Sequence, residues 1–113
     1  PFDGKVALRV SPARLAIGDS VHLELRLASS SREAQRLVID LVVHYVKANG
    51  TTSPKVFKGW TIDLAPGEKR DLRKTLPMRD VSTRRHFAGK HLVAVQVNGG
   101  VLAQRGFVLS KPT

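Results

Sequence analysis

Two stretches of the sequence, residues 44–58 and 79–90, are predicted to be loops between strands, and both concentrate side chains that can bind a polyanion. Lysine ammonium groups neutralise phosphates, and the planar guanidinium of arginine binds a phosphate through two parallel hydrogen bonds. These residue types therefore suggest recognition of a phosphate backbone. Against the one carboxylate of Asp80, the two stretches carry seven cationic side chains: Lys47, Lys55, Lys58, Arg79, Arg84, Arg85 and Lys90.

The first stretch also offers hydrogen-bond donors around its lysines. The hydroxyl groups of Thr51, Thr52 and Ser53 can donate to phosphate oxygens, and a turn at Asn49-Gly50 leaves backbone N–H groups accessible. An ordinary polar hairpin, whose lysines only provide solubility, has the same composition. The residues of this stretch by themselves leave both interpretations open.

The second stretch places two arginines side by side. In an extended segment Arg84 and Arg85 point to opposite sides, so that one can reach a partner while the other pairs with Asp80 or braces the loop. Phe87 is predicted to fill the base of the loop rather than to stack on a nucleobase. The arginines are accordingly the main candidates of this stretch.

The composition narrows the function further. Nineteen Lys and Arg against nine Asp and Glu give a net charge of +10, which favours an anionic partner, although it also keeps a protein soluble. The absence of cysteine excludes disulfides and thiolate metal ligands, and the four histidines lack the spacing of a zinc site. No motif of nucleophilic, metal-dependent or phosphate-loop catalysis occurs. We predict a binding domain without metal or cofactor.

The elements that position these residues read as strands. Val21, Leu23, Leu25 and Leu27 alternate with polar residues, which is the period of a half-buried strand. Residues 33–47 are long enough for a helix, but five β-branched residues in ten favour a strand. Gly59 is a predicted bulge. The predicted strands cover residues 5–10, 21–27, 37–47, 56–64, 68–76, 90–97 and 101–109.

Seven or eight short strands separated by turn residues predict an all-β fold. We expect an antiparallel sandwich of the immunoglobulin or fibronectin type III kind, with about seven strands in one domain over residues 1–113. In that topology the two basic stretches lie at one end, beside the Gly18-Asp19 turn, and the turns at Ser29 and Asn98 lie at the other. The two stretches should then form one basic rim.

Several blocks of the sequence resemble a known family. These blocks are Lys47-Ala48-Asn49-Gly50, Ser53-Pro54-Lys55-Val56-Phe57-Lys58, Leu64-Ala65-Pro66-Gly67-Glu68, Ser82-Thr83-Arg84-Arg85-His86-Phe87 and Val95-Gln96-Val97-Asn98-Gly99. They resemble the C-terminal immunoglobulin-like domain of bacterial HEAT-like-repeat DNA alkylation repair proteins, the AlkC-type alkylpurine DNA glycosylases. The similarity runs in order through residues 37–109, whereas residues 5–27 match only as generic sandwich strands.

The resemblance implies an accessory role in DNA repair. The parent enzyme would excise alkylated purines with a helical repeat domain that also carries the catalytic carboxylate, so no residue of this chain inherits a catalytic role. The expected partners are double-stranded DNA and that repeat domain of the same polypeptide, in the bacterial cytoplasm, with no membrane and with the domain as a monomer. The chain begins at Pro1 without methionine, which suggests a module cut from the C-terminus of a longer protein. The predicted DNA contacts are Lys47, Asn49, Thr51, Lys55, Lys58, Arg84, Arg85, His86 and Lys90, with Asn49 or an arginine as the candidate for the minor groove.

The main alternative is a protein-docking or interdomain module with the same fold. It predicts an exposed apolar patch from the second face of the strand at 37–47, formed by Val38, Val42 and Val46, with basic loops that only solubilise. A periplasmic adhesion domain is a further, weaker alternative.

Overall fold

A computed structural model describes residues 1–81 and 85–112 of the chain. These residues form two sheets, a three-stranded sheet in the order β1-β3-β6 and a five-stranded sheet in the order β2-β8-β7-β4-β5. The eight strands in the described residues are β1 Gly4–Ser11, β2 Arg14–Ala16, β3 Ser20–Ser29, β4 Gln35–Val46, β5 Thr52–Leu64, β6 Lys69–Pro77, β7 Gly89–Val97 and β8 Gly100–Ser110.

The predicted immunoglobulin-like sandwich is confirmed. Strand β3 shows why the sequence folds this way, because Val21, Leu23, Leu25 and Leu27 are all buried against the other sheet. The residues between them point away from the core, as the period of two requires. On the facing sheet the core is continued by Leu37, Ile39, Leu41, Val43, Val93, Val95 and Val97.

Strand β4 lies inside the five-stranded sheet, between β5 and β7. The competing helix over residues 33–47 is therefore wrong, and the β-branched residues indicated the correct structure. Of the three valines on the outer face of β4, only Val38 is exposed, at 46%, whereas Val42 and Val46 are 6% and 7% exposed. Neighbouring strands cover them: Val42 lies opposite Val56 on one side and opposite Ala94 on the other. The apolar patch predicted for a docking module does not form at these three valines.

Strand β5 begins earlier than predicted, at Thr52 rather than at residue 56. The long basic loop over residues 44–58 is thus wrong as a loop, because the hairpin stays paired up to Val46 opposite Thr52. Pro54 is tolerated because β5 is an edge strand, where a missing N–H breaks no ladder. The predicted bulge is confirmed at Gly59, whose added Cβ would come within 2.7 Å of the Ile39 carbonyl oxygen.

The strands predicted at residues 5–10 and 21–27 pair with each other as β1 and β3, but an additional short strand lies between them in the chain. After β1 the chain crosses to the other sheet, where the three residues of β2 pair in parallel with β8. So short a strand leaves no periodic signal in the sequence.

The predicted ends of the sandwich are confirmed. Gly18 N donates to the Met78 carbonyl and Met78 N to the Asp19 carbonyl, each at 2.8 Å, so the 18–19 turn adjoins the start of the second basic stretch. At the other end Asn98 N donates to the Val38 carbonyl.

Candidate nucleic-acid interface

The two basic stretches meet in one groove at the predicted end of the sandwich. It has a volume of about 410 Å³, and three cationic side chains from separate parts of the chain line it. Lys47 follows β4, Lys55 lies on β5, and Arg85 belongs to the connection from β6 to β7. We call this site the basic groove, formed by Tyr45, Val46, Lys47, Ala48, Ser53, Pro54, Lys55, Arg85 and Phe87.

An aromatic cluster supports the basic groove through Tyr45, which lines it. The Lys55 ammonium lies 5.5 Å from the centre of the Phe57 ring, and the Phe57 ring meets the ring of Tyr45 edge to face at 6.5 Å. Tyr45 in turn contacts His86 at 5.6 Å and His91 at 5.9 Å between ring centres, both edge to face. Buried rings have few rotamers and large contact areas, so this layer holds the strands under the cations in a fixed position.

Asp80 organises the connection that carries Arg85. Its Oδ1 accepts the backbone N–H of His86 at 2.6 Å and lies 3.3 Å from Nδ1 of the same residue. These bonds lower the pKa of the Asp80 carboxyl, the backbone N–H of His86 most of all, and the nearby positive charge of Arg85 contributes in the same direction. The carboxylate thus ties His86 to Asp80, next to Arg85 at the groove.

His86 and Phe87 exchange the positions expected from the sequence. His86 is only 6% exposed and packs on Tyr45, whereas Phe87 is 37% exposed in the basic groove. The prediction that Phe87 fills the base of the loop is wrong, because the Asp80 bonds draw His86 into that place instead. A buried His86 also has no surface from which to contact a phosphate directly, which corrects its place among the candidate contacts.

His91 completes the support below the groove as a neutral imidazole. The Val46 N–H donates to Nε2 at 3.4 Å, Nδ1 lies 3.3 Å from the Gly89 carbonyl, and the ring stacks on Phe107 at 5.1 Å. Burial lowers the pKa of His91. A protonated ring would turn an N–H toward the Val46 N–H, so the neutral form fits this position.

The turn between β4 and β5 keeps two predicted contacts at its tip. Asn49 Oδ1 accepts the Thr51 N–H at 3.1 Å and the Thr51 hydroxyl at 2.7 Å. Both side chains are exposed, but these bonds commit the amide oxygen and the hydroxyl proton to bracing the turn. They shape the rim beside Lys47.

Two predicted cations lie away from the basic groove. Lys58 stands opposite Asp40, in alternation with Lys55, and therefore points to the other face of β5. Lys90 lies opposite Val108 and lines a separate depression together with Arg14. The remaining candidate, Arg84, lies outside the described residues. The structure thus brings together Lys47, Lys55 and Arg85, and the predicted single rim is smaller than expected.

The three cations of the basic groove form no ion pair with any carboxylate of residues 1–81 or 85–112. In the same part of the chain, Arg26 pairs with Asp71, Arg70 with Glu68, and Arg73 with Glu24. A cluster of like charges without counter-charges raises the local positive potential and attracts an anion.

Sequence reasoning missed the aromatic support of the site. Tyr45 is not among the predicted site residues, although its ring connects Phe57, His86 and His91. The only signal was the clustering of His and aromatic residues around positions 44–57 and 86–91. Within the described residues no group of three His, Cys, Asp or Glu could hold a metal ion, and no helix has the length and apolar character needed to cross a bilayer.

Comparison with known families decides what kind of domain this is. Residues 5–111 match the family model described as "Uncharacterised protein YhaZ, C-terminal Ig-like domain". The chain belongs to this family. The YhaZ protein of Bacillus subtilis is 32% identical to it over 94 residues, which cover 83% of this chain and 26% of that protein.

Solved structures agree with the family. The Pseudomonas fluorescens alkylpurine DNA glycosylase AlkC, bound to DNA containing an abasic site analog, matches with a TM-score of 0.93 and 35% identity. The match covers 96% of this chain and 31% of AlkC, so the chain spans less than a third of either relative. The expected resemblance to AlkC-type proteins is confirmed. A β-glucosidase from Listeria innocua, at 18% identity and a TM-score of 0.75 over 97% of this chain and 17% of that one, shares the fold alone.

Proposed function

We propose that this chain is a non-catalytic accessory domain of a DNA alkylation repair glycosylase and that its basic groove holds the DNA backbone. Lys47, Lys55 and Arg85 are the phosphate contacts. The observation that carries the proposal is their convergence, from separate parts of the chain, around one groove without ion-pair partners among the described residues. Such backbone contacts position a protein on DNA without reading its sequence.

The similarity to AlkC supports the choice of DNA as the polyanion, because that enzyme is bound to DNA in its solved structure. By the same proposal, excision of an alkylated purine belongs to a HEAT-like-repeat domain of the parent protein, which is the second partner of this domain. The setting is the bacterial cytoplasm, where chromosomal DNA lies, and the domain acts as a monomer. Arg84, the neighbour of Arg85, is proposed as a further phosphate contact. Asn49 and Thr51 keep the rim in shape, and Lys58 and Lys90 serve as flanking cations.

The number of phosphate contacts determines how strongly duplex affinity depends on salt. If three phosphates are neutralised, duplex affinity should fall about 40-fold between about 50 and 200 mM salt through counterion release. Such a domain binds weakly by itself. Joined to a second DNA-binding domain, it raises the overall affinity because the second contact becomes intramolecular.

The test is fluorescence anisotropy of a labelled duplex with the wild type and with Lys55→Glu/Arg85→Glu. We expect the double reversal to weaken binding at least about 30-fold at low salt, because two phosphate contacts are lost and two repulsive charges are introduced. The matched control is Lys5→Glu/Arg36→Glu, which removes the same charge at the other end of the sandwich, where β1 and β4 begin.

A loss of affinity that is equal in both double variants would refute the groove, because it would show that only net charge matters. Binding that is insensitive to salt and to both reversals would refute the DNA-backbone role altogether. It would favour the docking alternative, for which the exposed Val56, Val101 and Leu102 are the remaining apolar candidates.

A further inference from the structure

Phe87 stands out from the other aromatic residues at the groove. Tyr45, Phe57 and Phe107 make ring contacts with their neighbours, but none of the ring contacts among the described residues involves Phe87. Its side chain is 37% exposed although it lines the groove next to Arg85 and Lys55. An aromatic ring held open among cations has the two features from which single-stranded DNA sites are built, a charged track and a stacking surface.

The backbone around Phe87 fixes this exposure. His86 is anchored inward by Asp80 through its N–H and its ring, and the adjacent residues of an extended segment point the other way. Arg85 and Phe87 therefore face the groove together, on either side of one buried residue. The bonds between Asp80 and His86 therefore orient both the Phe87 ring and the Arg85 guanidinium toward the groove.

The structure of DNA determines which bases can contact the Phe87 ring. In a continuous duplex each base is covered above and below by its neighbours, so a backbone-binding groove meets only phosphates and sugars. A base presents its face only where it has left the stack, at a bulge, a gap, a kink or in a single strand. The groove volume of about 410 Å³ lies in the range of sites that enclose a small ligand, so it has room for such a base beside the cations.

We propose that the basic groove accepts an unstacked nucleotide and that Phe87 stacks on its base. This rests on the proposed function, since the cations must first hold the phosphates on either side. The domain then prefers DNA with unpaired bases over continuous duplex, without a strong preference for base identity, because every base has a π face.

Two labelled probes of the same length test the preference by anisotropy: a continuous duplex, and the same duplex with three unpaired thymines at its centre. We expect the wild type to bind the bulged probe about tenfold more tightly, which is within the range for stacking one base on an aromatic side chain. Phe87→Leu keeps the apolar bulk and should abolish the difference between the two probes. Phe87→Tyr keeps the ring and should retain the difference.

Leu102→Ala is the matched control, because Leu102 is another exposed apolar side chain, on β8. It should preserve the preference. Equal binding of both probes by the wild type, or a preference that survives Phe87→Leu, would overturn the stacking proposal. The DNA-backbone role would still stand if Lys55→Glu/Arg85→Glu weakened binding of the duplex. Failure of the wild type to bind either probe at low salt would overturn both proposals.

Discussion

Two depressions of the same volume, about 410 Å³ each, differ in how their charges are arranged. One is lined by residues of β1, β3, β6 and β8, and there Arg26 lies 2.9 Å from the carboxylate of Asp71, with Glu24 close by. The other is the basic groove, whose three cations have no carboxylate partner among the described residues. Size alone would not tell the two sites apart.

The difference shows that a basic protein can use some of its cations in ion pairs within the fold and leave others available to a ligand. On the three-stranded sheet, the cross-strand pairs Glu24 with Arg73 and Arg26 with Asp71 bind two arginines within the fold, whereas Arg9, which lines the same depression, forms no ion pair among the described residues. Exposed pairs of this kind contribute little to stability, but each pair cancels its own two charges. At the groove, the single nearby carboxylate, Asp80, is bonded to His86 and shapes the loop. The cations beside it therefore remain available to an external anion.

The largest expected effect is on stability, from a substitution in the aromatic cluster below the groove. Tyr45→Ala removes a buried ring that contacts Phe57, His86 and His91, and we expect it to lower the free energy of unfolding by about 3 kcal/mol. Urea denaturation followed by circular dichroism measures this loss. The variant should also weaken duplex binding, because the support of Lys55 and Arg85 is lost.

Leu25→Ala in β3 is the matched change in the other sheet. Leu25 is 1% exposed, and its truncation should cost a similar free energy of unfolding while leaving duplex affinity of the folded protein unchanged. If both truncations weakened DNA binding equally, the groove would have no special support, and the comparison between the two regions would fail.

Acid should act on the buried His91 and on the paired carboxylates, Asp71 among them, in separate pH ranges. The pKa of His91 is lowered in the folded state, so the unfolded chain binds more protons below its ordinary value of 6.5, and stability falls as the pH drops through that value. The pKa of Asp71 is lowered by its hydrogen bond and ion pair with Arg26, so its contribution is present above 3.8 and is lost only at lower pH.

Thermal melts between about pH 8 and 3 should therefore show two declines, the first around the ordinary range of histidine. His91→Gln should remove the first decline, because it retains a polar side chain that does not titrate. Asp71→Asn should remove part of the second decline only. If the first decline in melting temperature persists in His91→Gln, another group must cause it.

The smallest effect should be confined to one loop. Asp80→Ala removes the acceptor of the His86 N–H, and we expect amide hydrogen exchange at His86 to accelerate about tenfold while the strands keep their protection. Asp71→Ala is the matched loss of a carboxylate and should leave the His86 amide unchanged. Unaltered exchange in Asp80→Ala would show that the loop is held by other contacts.

Much of the fold could be predicted because its signals are local. The alternation of Val21, Leu23, Leu25 and Leu27 identifies β3, and the β-branched content of residues 37–46 identifies β4 despite its helical length. The start of β5 could not be predicted. Pro54 disfavours a strand and Ser53 gives no strand signal, so Thr52 alone does not mark the start, and these residues are extended because β4 pairs with them across a tight turn.

The candidate site was predictable only in part, because it too depends on contacts between strands as well as on local signals. The sequence shows which residues are cationic, and strand order brings both basic stretches to one end. Neither could separate Lys55 from Lys58, because this depends on the bulge at Gly59 and on which face of an edge strand each lysine occupies. Nor could they place His86 inside and Phe87 outside, since hydrophobicity alone favours the reverse.

The sandwich, the common end of the two basic stretches and the family could all be predicted from the sequence, because alternation, turn residues and motif blocks are local features of the chain. The three-dimensional fold was needed to show which cations share a groove, that they form no ion pair among the described residues, and that the ring of Phe87 is exposed. Those outcomes depend on contacts between residues far apart in the chain, such as Tyr45 with His86 and His91, and on the hydrogen bonds from one carboxylate, Asp80, that turn a histidine inward.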